Sequence, residues 1–180
     1  SRGKKFNFKG QRNGVTLSLS GSYQGTSNLW RSNSSIGFDL LANFGNINLS
    51  GEWMLLERDL RDLSTSASTG FLKLGFYQKL KNGKEIEPVI TYVFLNGPMD
   101  FQEQVEASSL QAFFGEEIYI EGTLNYYLTS KIRLSISYTI RNGETGDVDS
   151  QLVNNNYFQQ PGVGPILRGD YLGLGLLFSI

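Results

Sequence analysis

The sequence predicts an all-β fold, an antiparallel transmembrane β-barrel, and three observations carry the prediction. Apolar and polar side chains alternate with a period of two along nearly the whole chain, and no stretch of comparable length has helical periodicity. Most alternating runs are about ten residues long, the length that crosses a hydrocarbon layer when a strand tilts by roughly 45°; a soluble strand is about five or six. The connections between runs are alternately short and long.

Nine runs follow in order, at 4–10, 15–24, 35–44, 47–56, 70–80, 86–95, 117–128, 132–141 and 170–180. In the first, Phe6 and Phe8 alternate with Lys5, Asn7 and Lys9. In the second, Val15, Leu17 and Leu19 oppose Thr16, Ser18, Ser20 and Ser22. The third sets Phe38 against Asp39, and the fourth Trp53 against Glu52. The fifth sets Leu72, Leu74 and Phe76 against Lys73 and Lys79, and the sixth sets Tyr92 and Phe94 against Glu87. In the seventh, Tyr126 opposes Glu117 and Glu121. The eighth is the most regular, with Ile132, Leu134, Ile136, Tyr138 and Ile140 against Arg133, Ser135, Ser137, Thr139 and Arg141. In the last, Leu174, Leu176 and Phe178 carry the pattern almost to Ile180. A strand at the very end of a chain needs a neighbour beside it, which a closed barrel supplies.

Composition agrees. Mean hydropathy is −0.24, so no run of about eighteen apolar residues exists to form a membrane helix; alternation hides a barrel's membrane signal instead. Glycine occurs 21 times and proline 4 times, which suits crowded sheets with tight turns, and 12 phenylalanines, 9 tyrosines and 2 tryptophans suit interfacial girdles. The absence of cysteine fits passage through an oxidising periplasm. The chain opens at Ser1 with no apolar leader, so any signal peptide is expected to have been removed. A net charge of −1 with no basic stripe gives no nucleic-acid partner. The whole of 1–180 reads as a single barrel domain or barrel portion.

Short links at 12–14, 45–46, 81–84 and 129–131 take turns with long ones at 25–34, 57–69, 96–116 and 142–169. Asn13-Gly14 and Asn82-Gly83 suit two-residue hairpin turns, since both residues take φ > 0 at little cost. Bacterial barrels place short turns in the periplasm and long loops outside. The expected location is the bacterial outer membrane, with the lipid bilayer as the first partner.

Several motifs in order resemble a known family. They are Gly37-Phe-Asp39, Gly51-Glu52-Trp53, Gly70 to Tyr77, Glu87-Pro88-Val89 with Thr91-Tyr92, Thr123-Leu-Asn-Tyr-Tyr-Leu128, Arg133-Leu134 with Tyr138, and Asp170-Tyr-Leu-Gly-Leu174. Together they resemble the closing strands of phosphate-selective porins of the O and P type, over nearly the whole chain. The resemblance implies a sixteen-stranded trimeric outer-membrane porin with a pore for small anions. The family's phosphate-binding ladder does not map onto this chain residue by residue.

Nine strands is odd, whereas single-chain bacterial barrels are even. If 4–10 is a tail, eight strands close a small barrel. If it is a strand, another polypeptide completing the barrel, or a homo-oligomer, must cover the open edge. Asn13-Gly14 favours the strand.

The polar face is expected to line a pore. Its basic candidates are Lys5, Lys9, Lys73, Lys79, Arg133 and Arg141, and its acidic ones Asp39, Glu52, Glu87, Glu117 and Glu121. Their signs nearly cancel. They read either as a transverse salt-bridge network stiffening the wall, or, for Lys73, Lys79, Arg133 and Arg141, as solute contacts. On the opposite face Phe38, Trp53, Phe76, Tyr92, Phe94, Tyr126, Tyr138 and Phe178 read as membrane-surface aromatics. Loop 96–116, with Asp100, Glu103, Glu106, Glu116, Phe101, Phe113 and Phe114, is either a constriction or a solvated outer loop. Asp147-Val-Asp149 lacks the further ligands of a calcium loop and reads as a turn.

No histidine or cysteine is present, which excludes serine–histidine, thiol and histidine–zinc chemistry. Glu117 and Glu121 lie about 13 Å apart along one strand face, too far for a glycosidase pair. The expectation is a non-enzymatic channel for passive diffusion of small solutes or ions, anions among them, with no cofactor and no metal. The alternative is a non-conducting scaffold barrel. A lipocalin-like barrel would turn the apolar face inward, and a β-sandwich would have shorter strands.

Overall fold

Alternating sequences fold as strands because successive side chains of extended backbone point to opposite faces. The computed structural model of the chain describes residues 13–28, 30–59, 64–97, 116–142, 157–160, 164–167 and 169–178. Its strands are β1 (Gly14–Gln24), β2 (Ser32–Phe44), β3 (Ile47–Asp59), β4 (Ser64–Phe76), β5 (Gln78–Lys79), β6 (Glu85–Asn96), β7 (Glu116–Thr129), β8 (Ile132–Asn142), β9 (Tyr157–Gln160), β10 (Gly164–Leu167) and β11 (Tyr171–Phe178). The eight long strands form one antiparallel meander in the order β1-β2-β3-β4-β6-β7-β8-β11, with β5 adding to β6. β9 and β10 pair as a separate hairpin. The expected strand 4–10, with Lys5 and Lys9, lies outside the described residues.

Register sorts most side chains between the two faces, with Leu41 and Phe71 among the exceptions on the polar side. One crosswise row, made of Leu17, Leu40, Gly51, Leu72, Tyr92, Ile120 and Ile140, is apolar or glycine throughout. The neighbouring row on the other face is Thr16, Leu41, Ser50, Lys73, Thr91, Glu121, Thr139 and Tyr171. The face that carries the leucines is the open one. Ile140 is 50% exposed and Leu174 79%, while Thr139, on the polar face, is wholly buried. Along β6–β8 the polar face is the more hidden one, the reverse of a soluble core and the arrangement expected of a sheet that curls toward its polar side, while β1 is exposed on both faces.

The expected hairpins are present at three places, with changed details. At 45–46 Gly45 takes φ +58°, and at 81–84 Gly83 takes φ +79°, as turns that need left-handed backbone demand. At 129–131 the Thr129 hydroxyl accepts from the backbone N–H of Lys131 and of Ile132, each at 3.1 Å, and the β7–β8 register shifts between Tyr127 and Thr129. Asn13-Gly14 behaves otherwise than expected. Gly14 opens β1 without positive φ, and the Asn13 side chain instead accepts from the Gly45 N–H at 2.7 Å, bracing the neighbouring turn.

The expected long link 57–69 is mostly strand. β3 runs on to Asp59, and β4 begins at Ser64, because Ser64 to Ser68 pair with Leu55 to Asp59 despite their polarity. The strand read as 70–80 ends at Phe76 and resumes as Gln78–Lys79. Between them the Tyr77 N–H is taken by the Asn46 carbonyl at 2.8 Å. The link 25–31 is folded back: Trp30 lies 5.1 Å from the Arg58 guanidinium, and the Arg31 N–H donates to the Asp59 carbonyl.

Among the described residues β1 pairs only with β2, and β11 only with β8. The sheet is open, so the closed eight-stranded barrel is not the observed arrangement.

Close approach fixes one glycine. A Cβ at Gly70 would meet the Glu52 carbonyl oxygen and, at 2.9 Å, the Phe94 ring. Gly122, with nothing within 4 Å of the same position, is the natural control. Gly70→Ala is expected to lower stability by about 1–3 kcal/mol through overpacking, and Gly122→Ala to change it by less than about 0.5 kcal/mol, both read as urea midpoints of the refolded chain.

Candidate functional site

Among the described residues most of the chemistry-bearing side chains gather on the polar face. The register places all nine described charge candidates there: Asp39, Glu52, Lys73, Lys79, Glu87, Glu117, Glu121, Arg133 and Arg141. The aromatics Phe38, Trp53, Phe76, Tyr92, Phe94, Tyr126, Tyr138 and Phe178 all fall on the opposite face. Tyr92 and Phe94 stack there with ring centres 6.0 Å apart. That face also holds a groove of about 450 Å³ along β7, β8 and β11, lined by Leu124, Leu134, Ile136, Leu174 and Leu176 among others, and it offers almost no polar chemistry.

Along β6–β8 the carboxylates are individually held. Glu87 accepts from the Tyr127 hydroxyl at 2.8 Å and from the Asn125 amide at 3.1 Å, and Ser135 in turn donates to the Asn125 carbonyl oxygen at 2.7 Å. Asn125 is 7% exposed, so this chain of bonds is what makes its burial tolerable. Glu121 accepts from Thr123 at 3.1 Å and Thr139 at 3.3 Å. Glu117 takes the Arg141 guanidinium at 3.1 Å. Arg141 also lies 5.7 Å from the Tyr119 and Tyr171 rings, and its backbone N–H donates to Asp170 at 3.0 Å.

Of the expected salt-bridge network, Glu117–Arg141 is present along these strands, while Glu87 and Glu121 are held by neutral hydroxyl and amide donors. Arg141 is thus held between two tyrosine rings and a carboxylate. Arg133 stands opposite Tyr127.

The β1–β4 part of the same face is different. Its inner positions include Thr16, Ser18, Ser20, Ser22, Ser35, Asn43, Asn48 and Ser50, with lateral bonds such as Ser22–Ser35 at 2.8 Å and Asn48–Asn43 at 2.6 Å. Asp39 stands directly opposite Glu52. Like charges so placed repel, and the open position of Glu52 lets water screen them. Lys73 is the nearest cation by register, diagonal to Glu52.

Sequence reasoning missed the neutral partners Asn125, Tyr127, Ser135 and Thr139. Asn125 shares the odd-numbered parity of Glu117 and Glu121 on β7, a signal that places it on the polar face without telling which residue it meets. The expected constriction residues Asp100, Phe101, Glu103, Glu106, Phe113 and Phe114, and Asp147-Val-Asp149, lie outside the described residues; Glu116 opens β7 opposite Asn96.

No protein-family model matches this sequence, and no curated protein matches it.

Asn125→Ala removes the shared partner of Glu87 and Ser135 and leaves both to resatisfy themselves in a buried site. It is expected to cost about 1–3 kcal/mol, against less than about 0.5 kcal/mol for Ser18→Ala on exposed β1, measured as a shift in denaturant midpoint at unchanged m-value.

Proposed function

We propose that the chain forms part of the wall of a porin-like outer-membrane barrel that lets small solutes or ions diffuse passively. The observation that carries this reading is the inverted burial along β6–β8: Ile90, Ile120, Leu124, Leu134, Ile136 and Ile140 are exposed, while Glu87, Glu117, Glu121, Asn125, Arg133, Thr139 and Arg141 on the polar face are buried or half-buried. Water would penalise so large an apolar face, whereas lipid would welcome it and the polar face would enclose water. A lipocalin-like fold needs the opposite orientation.

Strand length supports the same reading. β2, β3 and β4 have 13 residues each. At roughly 3.3 Å per residue such a strand is about 43 Å long, and tilted by about 45° it rises about 30 Å, the depth of a hydrocarbon core. The three tight turns gather at one end and the longest connections, 97–115 and 143–170, at the other, as in outer-membrane barrels, although the link between β3 and β4 is only 60–63. Similarity in motif order to phosphate-selective porins of the O and P type supports a channel, with the bilayer and strands from another polypeptide or a second copy as partners. The wall supports weak ion selectivity, because its basic side chains Lys73, Lys79, Arg133 and Arg141 nearly balance its acidic Asp39, Glu52, Glu87, Glu117 and Glu121.

Planar-bilayer recording tests the reading. The refolded protein is expected to give stepwise conductance with a reversal potential close to zero in a KCl gradient. Joint replacement Asp39→Asn and Glu52→Gln is expected to shift that potential toward anions. Folded, membrane-inserted protein without conductance would favour the scaffold alternative, and strong anion preference in the unaltered protein would contradict the assignment of the wall.

A further inference from the structure

We propose that the outward face fits a bilayer whose hydrocarbon layer is about 23 Å thick, thinner than average, with the membrane plane crossing the ladder obliquely. The proposal rests on the membrane-barrel reading above and adds which bilayer it takes and how deep the sheet sits in it. On β2, β3, β6 and β8, five successive outward positions are aliphatic, aromatic, glycine or proline: Ile36 to Phe44, Ile47 to Leu55, Ile86 to Phe94 and Ile132 to Ile140. On β4 the run is Gly70 to Phe76. The next outward residues at the long-connection end are Ser34, Glu57, Ser68, Asn96 and Asn142. Among the described strands the outward charges are Glu57, Asp59 and Glu116, and all three lie at that end. The belt between is uncharged, as contact with hydrocarbon demands.

The belt does not follow the ladder rows. At the long-connection end one row runs Ile36, Leu55, Ser68, Asn96, inside the belt on β2 and β3 and outside it on β4 and β6. Toward the turns another row runs Gln78, Ile86, Tyr126, Leu134, outside the belt on β5 and inside it from β6 onward. Both limits therefore slide toward the turn end from β2 to β8 while the width holds. A flat slab cuts such a band from strands that lean, as barrel strands do. The lean follows from the register. The row through Leu40, mid-belt on β2, reaches β8 at Ile140, whereas mid-belt on β8 is Ile136. That slip of four residues is about 13 Å along the strand, taken over five strand spacings of about 24 Å in all, a lean of about 30°. Each five-position run covers eight residue steps, about 26 Å, and so rises about 23 Å. An average hydrocarbon core is about 30 Å. The strands are thus longer than their belt, and Ser34, Glu57 and Ser66 stand beyond it at the level of headgroups.

The chain has no native cysteine, so single introduced thiols can carry nitroxides at Ile36, Asn96, Gln78 and Leu134 in protein refolded into dimyristoyl phosphatidylcholine vesicles. All four side chains are exposed, so the labels are expected to leave the fold intact. Ile36 and Leu134 are expected to be reached by oxygen dissolved in the lipid, and Asn96 and Gln78 by a water-soluble nickel complex, although Ile36 shares a row with Asn96 and Leu134 with Gln78. Equal accessibility within each pair, or the reverse order, would overturn the oblique belt. Shielding of Ile36 and Leu134 from both reagents would put another protein on this face and overturn it as well. A label at Leu72, mid-belt on β4, reports separately: water there would refute the membrane reading itself. Thickness is read from stability. The urea midpoint is expected to be lower by about 1 M in dierucoyl than in dimyristoyl phosphatidylcholine. Joint replacement Ser34→Leu, Glu57→Leu, Ser68→Leu and Asn96→Leu widens the belt at its long-connection limit and is expected to remove most of that difference. A midpoint that does not fall in the thicker bilayer, or that falls equally in the widened variant, would overturn the assigned thickness.

Discussion

The structure depends on the backbone hydrogen-bond ladder of a single antiparallel sheet. With no second layer among the described residues, each inner strand is held by its two neighbours, and β1 and β11 by one, through main-chain bonds, and side chains contribute by where they leave the ladder exposed or covered. This makes register decisive. A slip of one residue in β8 would bring Leu134 and Ile136 to the polar face and put Arg133 and Arg141 among the leucines. The turns protect against such slips at one end of the sheet, with Gly45 braced by Asn13 and the Thr129 hydroxyl bonded to two successive N–H groups.

The polar face divides into two parts with different physical character. Along β6–β8, carboxylates are tied to tyrosine, asparagine, threonine and arginine on adjacent strands, so the wall is stiffened crosswise in the direction that the ladder already spans. Along β1–β3 the surface is mainly hydroxyl and amide, and the adjacent Asp39 and Glu52 concentrate negative charge near Lys73. On the proposed reading, the first part gives the wall its shape and the second presents the field that a passing solute meets.

Much of the fold was legible because alternation is a local signal. The strands around 15–24, 47–56, 117–128 and 132–141 could be read directly, and so could the face of each described charge, since parity follows from position alone. Ser64 to Ser68 were read as a loop because their side chains are small and polar; the structure makes them strand through pairing with Leu55 to Asp59, a tertiary effect that propensity does not carry. The break at Tyr77 falls where the β4–β6 ladder passes Pro88, which has no N–H to give, while the Tyr77 N–H goes to Asn46 on the adjacent turn. Partners were harder to read than faces. That Glu87 meets Asn125, and that Arg141 rather than Arg133 meets Glu117, depends on exact register, and the irregularity between Tyr127 and Thr129 alters the β7–β8 register in a way the turn sequence does not announce. The hairpin of β9 and β10 inside the expected loop 142–169 has no long alternating run to mark it.

The inverted orientation of the sheet is the central claim, and a nitroxide scan along β8 tests it most directly. Labels placed one at a time from Ile132 to Arg141 in the vesicle-inserted protein should alternate with a period of two. Even-numbered sites should be reached by oxygen dissolved in the lipid, and odd-numbered sites by a water-soluble nickel complex. The opposite phase, or water accessibility at every position, would contradict the account.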